Sequence, residues 1–197
     1  SPFDTTSVDF LEDLNVPAYK VASVESTDLV LLEHMAKKGK PMIISTGIAT
    51  DSDIDKALDV CRANGVKDLA LLKCTSSYPA KVEDANLIMI KDLKERFEVE
   101  VGLSDHSLGL TVPIMSVAFG ARIIEKHFIL DKSLGGPDAS FSLNPEEFKL
   151  MVDHVREAES AIGRVDYSLD EKKNQSRKFS RSMFISKNVK AGETITE

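Results

Sequence analysis

Val101-Gly102-Leu103-Ser104-Asp105-His106 and Ile123-Ile124-Glu125-Lys126-His127-Phe128 decide how this chain is read. Each is a short apolar run that ends in a small or charged cluster with a histidine. In a parallel α/β sheet, ligands collect outside the carboxyl ends of the strands. Two neutral imidazoles there can bind a divalent metal and leave coordination positions open for substrate. A lone histidine in such a place more often bonds a loop carbonyl. Matching positions at successive strand ends favour His106 and His127 as a metal-ligand pair.

Outward from these two runs the pattern alternates. Strands are predicted at residues 18–22, 41–45, 69–74, 99–103 and 122–127. Helices are predicted at 6–14, at 28–38 stopped by Gly39, and at 51–64 closed by Gly65. Further helices fall at 84–97, with Leu87, Ile88, Ile90 and Leu93 at helical spacing, and at 110–119. The last, 145–162, has Asn144 as its cap, Pro145 at its first position and Gly163 at its end. Repeated β-α units imply parallel strands and right-handed crossovers. Ser1-Pro2-Phe3-Asp4 reads as a loop leaving a strand that is not present. About five strands without an opening one fit a slice of a TIM (β/α)8 barrel. The expected organisation is a partial barrel over 1–163, a linker over 164–182 and the start of a second module over 183–197. In that module the run 187–193 reads as a turn between short β segments.

Composition excludes several classes. The 197 residues are 42% hydrophobic and 29% charged, ordinary for a soluble globular protein with one sizeable core. A net charge of −7 argues against nucleic-acid or anionic-membrane partners. The basic residues are scattered, apart from Lys172, Lys173, Arg177, Lys178 and Arg181. No apolar run approaches the roughly 18 residues of a membrane span, and no secretory signal opens the chain. Cys61 and Cys74 lack metal-ligand spacing, so free thiols in a reducing, cytoplasmic setting are expected. His34 and His154 read as surface or packing residues, and Met35, Met89 and Met151 as core.

The other strand ends carry polar chemistry. The first gives Lys20-Val21-Ala22-Ser23-Val24-Glu25, with Lys20 placed by alternation inside the sheet, where an ammonium needs an anion. The second gives Ser45-Thr46-Gly47, the third Cys74-Thr75-Ser76-Ser77-Tyr78-Pro79 and the fourth Ser104-Asp105-His106-Ser107. A lysine, several hydroxyls and glycine-assisted backbone amides suit a phosphate. Ser and Thr also commonly end strands and cap helices; it is their coincidence at four successive strand ends that points to a ligand. Lys126 alternates outward, toward solvent or a helix. Asp105 and Glu125 could each orient an imidazole, or serve as surface or capping residues.

These runs, together with Tyr19-Lys20-Val21-Ala22-Ser23, Gly102-Leu103-Ser104-Asp105-His106 and Glu125-Lys126-His127-Phe128, resemble the sialic acid synthase family in order and over essentially the whole chain. The resemblance implies a TIM barrel followed by a small antifreeze-like (SAF) domain, in a domain-swapped homodimer. It implies a transferase that condenses phosphoenolpyruvate with an amino-sugar aldose, giving a nine-carbon 2-keto acid and phosphate. Gly135-Gly136-Pro137-Asp138 followed by Phe141-Ser142-Leu143 is most similar to the pseudaminate branch. That branch takes 2,4-diacetamido-2,4,6-trideoxy-L-altrose; N-acetylneuraminate or legionaminate synthesis is the alternative.

By the same resemblance, His106 and His127 match the ligands of a divalent ion, Mn2+, Mg2+ or similar. Lys20, Ser23, Ser45 and Ser104 match positions that hold phosphoenolpyruvate, and Ser1 a position that is Thr or Ser in relatives. Ser76 stands where some N-acetylneuraminate synthases have Asn. Glu25, Tyr78, Asp138 and Phe179 match positions around the sugar. The family's opening strands bring a Glu and a further Lys, and its antifreeze-like domain an Arg, that are absent here, so this chain alone is expected to be inactive. Two competing readings are a noncatalytic sugar-acid or phosphate-binding module, and an aldolase-type barrel with Lys20 as a Schiff base.

Overall fold

The computed structural model describes residues 1–195. Five strands, β1 (Tyr19–Val21), β2 (Met42–Ser45), β3 (Leu69–Cys74), β4 (Glu100–Asp105) and β5 (Ile123–Lys126), pair in parallel in sequence order. Each strand thus lies beside its predecessor and the sheet winds in one sense, as a half-barrel. Helix α1 (Thr5–Asp13) precedes β1; α2 (Leu29–Ala36), α3 (Asp51–Ala63), α4 (Ile88–Phe97) and α5 (Thr111–Ala118) lie between the strands, and α6 (Pro145–Ile162) follows β5.

Strand alternation splits the side chains between two faces. Tyr19, Val21, Met42, Ile44, Leu69, Leu71, Val101 and Leu103 join Leu32, Met35, Leu58, Ile90 and Leu93 of the helices in one buried core. The intervening residues, Lys20, Ile43, Ser45, Leu72, Cys74, Gly102, Ser104, Ile123 and Glu125, face the barrel interior. Capping fixes the helix starts: Thr50 and Asp53 form a capping box on α3, and Asn144 and Glu147 another on α6.

Gly102 shows how closely two strands approach. A Cβ there would lie 2.2 Å from the Ile123 carbonyl oxygen and 2.7 Å from the Leu72 side chain. A carbonyl of the ladder cannot rotate aside. Gly102→Ala is therefore expected to cost about 3 kcal/mol, read as a lowered denaturant midpoint at unchanged slope. A midpoint equal to the parent's would mean that β4 and β5 separate freely.

Two local readings are corrected. The helix expected over 84–97 starts only at Ile88, because Asn86 takes a left-handed φ of 46° after a 3-10 turn at Val82–Asp84. Met89 is exposed, since the buried stripe of α4 runs through Ile90, Leu93 and Phe97. The stretch expected as linker contains a short helix, α7 (Glu171–Arg177), capped by Asp170.

Residues from Arg164 onward form a second compact unit, separate from the unit Ser1–Gly163. There a turn closes where Glu193 N donates to the Lys190 carbonyl at 3.1 Å. The short β segments expected around it are not formed among the described residues. Two short strands without a third or a packed face have little to hold them.

Candidate functional site

The inner face, near the carboxyl ends of the strands, collects the polar residues. Lys20 Nζ donates to Ser45 Oγ and to the Val21 carbonyl, both at 2.8 Å, and lies 3.5 Å from Glu125 Oε1. Ser104 donates to the same Glu125 oxygen at 2.7 Å. The ladder makes this possible: Cys74, Ser104 and Glu125 are successive cross-strand partners pointing inward. Burial pulls the Lys20 ammonium below the usual lysine range, opposed by the Glu125 charge. Glu125 is a residue that the sequence reading misplaced, for its carboxylate serves Lys20 and Ser104 rather than an imidazole. Its position two residues before His127, on the same strand face, was the available signal.

A second group of hydroxyls adjoins the first. Ser76 donates to Ser23 Oγ at 3.0 Å, and the Ile48 amide donates to the same oxygen at 3.0 Å. Gly47 allows this closeness: a Cβ there would lie 2.3 Å from Ser76 Oγ and 2.8 Å from Ser23 Oγ. Ser76 thus sits among the serines.

The histidines come together. Their ring centroids are 5.2 Å apart at an interplanar angle of 68°. His106 Nδ1 lies 2.9 Å from the Thr75 carbonyl oxygen, which can only accept, so Nδ1 carries the hydrogen and Nε2 offers its lone pair. Burial pushes this imidazole below the ordinary histidine range, which keeps it neutral near pH 7. Thr75 was not foreseen as a site residue. Its hydroxyl is itself pinned, accepting from Lys73 Nζ at 2.8 Å and donating to the Asp84 carbonyl at 3.1 Å. His127 faces Asp138, with Nδ1 and Oδ2 3.5 Å apart. Tyr78 and Phe141 complete the setting, with ring centroids 4.3 Å from His106 and 5.0 Å from His127 respectively. Phe141, of the Phe141-Ser142-Leu143 run, walls the imidazole pair on the His127 side.

Among the described residues no group of three or more His, Cys, Asp or Glu side chains stands ready to hold a metal. The donors present are two imidazoles, one neutral with a free lone pair. That set fits a divalent ion that takes its remaining ligands from water or substrate.

Glu25 ends the 3-10 turn Ser23–Glu25 after β1, and its buried Oε2 has no hydrogen-bond partner. Ser1 is exposed ahead of α1 and makes no side-chain bond to this cluster. Phe179 belongs to the second unit and is exposed there. Asp105 is not a partner of an imidazole, and Lys126 does not reach solvent; they pair with each other, buried on the outer face. Cys61 is a buried free thiol that burial pushes up to about 11, and Cys74 is a buried free thiol on the inner face. A cavity of about 630 Å3 lies at the opposite ends of the strands, lined in part by Met42, Lys67, Leu69 and Glu100. It holds none of these residues, so chemistry rather than volume locates the site.

Residues 1–167 match the family model described as NeuB family. The chain belongs to the NeuB family. It is 51% identical over 197 residues to a pseudaminic acid synthase of Campylobacter jejuni, all of this chain against 57% of that protein. It is 44% identical over 198 residues to the Helicobacter pylori pseudaminic acid synthase, covering 58% of it. The crystal structure of an N-acetylneuraminic acid (sialic acid) synthetase from Leptospira borgpetersenii superposes with a TM-score of 0.83 at 34% identity, covering 90% of this chain and 62% of that one. The sialic acid synthase resemblance and the partial TIM barrel are both borne out. The NeuB chain described here spans less than two thirds of the length of these relatives. No helix among its described residues is long and apolar enough to cross a membrane.

Proposed function

We propose that this chain carries part of the active site of a transferase that condenses phosphoenolpyruvate with 2,4-diacetamido-2,4,6-trideoxy-L-altrose, giving pseudaminic acid and phosphate. The observation that carries the reading is the sharing of one sheet face by a largely buried ammonium among hydroxyls and by two adjacent imidazoles. The choice of sugar is supported by similarity to pseudaminic acid synthases over the whole chain.

In that reaction C3 of phosphoenolpyruvate bonds to the aldehyde carbon, water adds at C2, and phosphate leaves by C–O cleavage. Lys20 Nζ, with the hydroxyls of Ser45, Ser104, Ser23 and Ser76, holds the phosphoenolpyruvate dianion, and Ser1 joins them in the whole protein. Much of their contribution is positioning. His106 and His127 would hold a divalent ion, Mn2+ or Mg2+, which would supply Lewis acidity toward the aldehyde. Thr75 and Asp138 orient the two rings. Glu25, whose buried oxygen lacks a partner, accepts from sugar hydroxyl or amide groups, and Tyr78, Asp138 and Phe179 are assigned to the sugar on family membership alone. A domain-swapped homodimer, an antifreeze-like domain starting near residue 183 and a cytoplasmic location belong to the same proposal. They rest on family membership and on the two free thiols.

The test is competition between the two sugars in the whole protein that contains this chain. A preference of at least about 100-fold for the diacetamido-trideoxy sugar over N-acetylmannosamine is expected. A surplus hydroxyl alone is rejected by about 100-fold, and the second acetamido group adds to it. Equal or better turnover of N-acetylmannosamine moves the protein to the neuraminate class. Phosphoenolpyruvate binding without turnover of any amino sugar favours the noncatalytic module.

A further inference from the structure

Asp105 and Lys126 directly precede His106 and His127 and are cross-strand partners in the β4–β5 ladder. Alternation turns both away from the barrel interior, yet neither reaches water: their side chains are 3% and 1% exposed. Lys126 Nζ donates to Asp105 Oδ2 at 2.5 Å and also to the Ser107 carbonyl. Asp105 Oδ1 accepts from the Ser107 amide at 2.9 Å. One ammonium therefore ties down the residues on both sides of His106, from the residue that precedes His127.

A buried ion pair is a poor way to add stability, because well-packed apolar residues often do as well or better. A pair that also bonds backbone fixes a geometry that apolar packing would leave loose. Here the fixed quantity is the chain path through Asp105-His106-Ser107 relative to the end of β5, and with it the separation of the two imidazoles. We propose that Lys126 is a positioning residue for the imidazole pair, acting through Asp105 and the Ser107 carbonyl from the outer face of the sheet. The proposal rests on the reading of His106 and His127 as ligands of a divalent ion.

The experiment titrates the whole protein with Mn2+, following the free ion by electron paramagnetic resonance, and separately with phosphoenolpyruvate by calorimetry. The variant is Lys126→Met with Asp105→Asn, which removes both charges and leaves no lone buried ion. Its Mn2+ dissociation constant is expected to rise about 10- to 100-fold, the usual cost of losing support behind a ligand. Its phosphoenolpyruvate affinity, set by Lys20 and Ser45, is expected to stay within about threefold. Mn2+ affinity within twofold of wild type in a cooperatively melting variant overturns the proposal. So does equal weakening of Mn2+ and phosphoenolpyruvate, which would signal general loosening. If the double variant does not fold, Asp105→Asn alone carries the test, with at least about threefold weaker Mn2+ binding expected and unchanged binding overturning it. Wild-type protein that binds no Mn2+ overturns the divalent-ion reading itself, a result distinct from a variant that binds as well as wild type.

Discussion

Alanine at His106 or at His127 in the whole protein is expected to lower divalent-ion-dependent turnover by about 10^3-fold or more, equivalent to roughly 4 kcal/mol of lost transition-state stabilisation. The size follows from the donor set. On the divalent-ion reading, the described residues of the cluster offer two imidazoles as nitrogen ligands, so removing one would leave a single such ligand and a site that water competes for. The two variants should differ in character. His106 is buried, and its Nδ1 hydrogen is committed to Thr75, so its loss also leaves that carbonyl without its partner. His127 is about one third exposed beside Asp138, and its loss should cost ligation with less disturbance of the fold. Protons compete with the ion for Nε2 of His106. Ion binding is therefore expected to weaken as pH falls, and burial, by lowering the pKa of this ring, moves the His106 share of that loss below the ordinary histidine range. A pH titration of Mn2+ binding checks the sign. Turnover that survives exhaustive chelation in wild-type protein would falsify the ion-dependent route.

Much of this was legible before any coordinate. The five strands lie where short apolar runs alternating with helical segments put them, and α6 runs from Pro145 to Ile162 because Asn144, Pro145 and Gly163 each act at a boundary. The convergence of Lys20, Ser45, Ser104 and the two histidines was also readable, since strand ends of a parallel sheet share one rim. What alternation could not supply was the partner of each side chain. Glu125 and Lys126 are adjacent in sequence, yet one reaches inward to Lys20 and the other outward to Asp105. Burial of Lys126 comes from tertiary packing, which no local pattern encodes. The Thr75 carbonyl is backbone, invisible to any search for side-chain motifs. Asn86 broke the expected helix through a left-handed φ that a polar residue in an apolar-periodic stretch only hints at. The β segments around 187–193 were read from turn residues alone, and a turn does not require strands on either side.

Lys20→Ala is expected to reduce kcat/KM for phosphoenolpyruvate by about 10^2- to 10^3-fold, mostly through KM, because a charge-assisted bond to a dianion is lost. The ammonium is well placed for that role. It is mostly buried, anchored to the Ser45 hydroxyl and the Val21 carbonyl, and only partly offset by Glu125 at 3.5 Å, whose nearer oxygen also accepts from Ser104. Ser45→Ala removes a neutral partner and should cost about tenfold or less. The pH profile gives a second reading of the same residue. Only the protonated amine attracts the dianion, and burial lowers its pKa, so kcat/KM should be flat at neutral pH and fall as pH rises through a value below the ordinary lysine range. That alkaline limb should vanish in Lys20→Ala. Borohydride added with substrate should trap no adduct on Lys20 of the wild-type protein, since here the amine serves as a cation and not as a nucleophile. A trapped adduct would move the chain to the Schiff-base reading, and unchanged kinetics in Lys20→Ala would remove the residue from the phosphoenolpyruvate site.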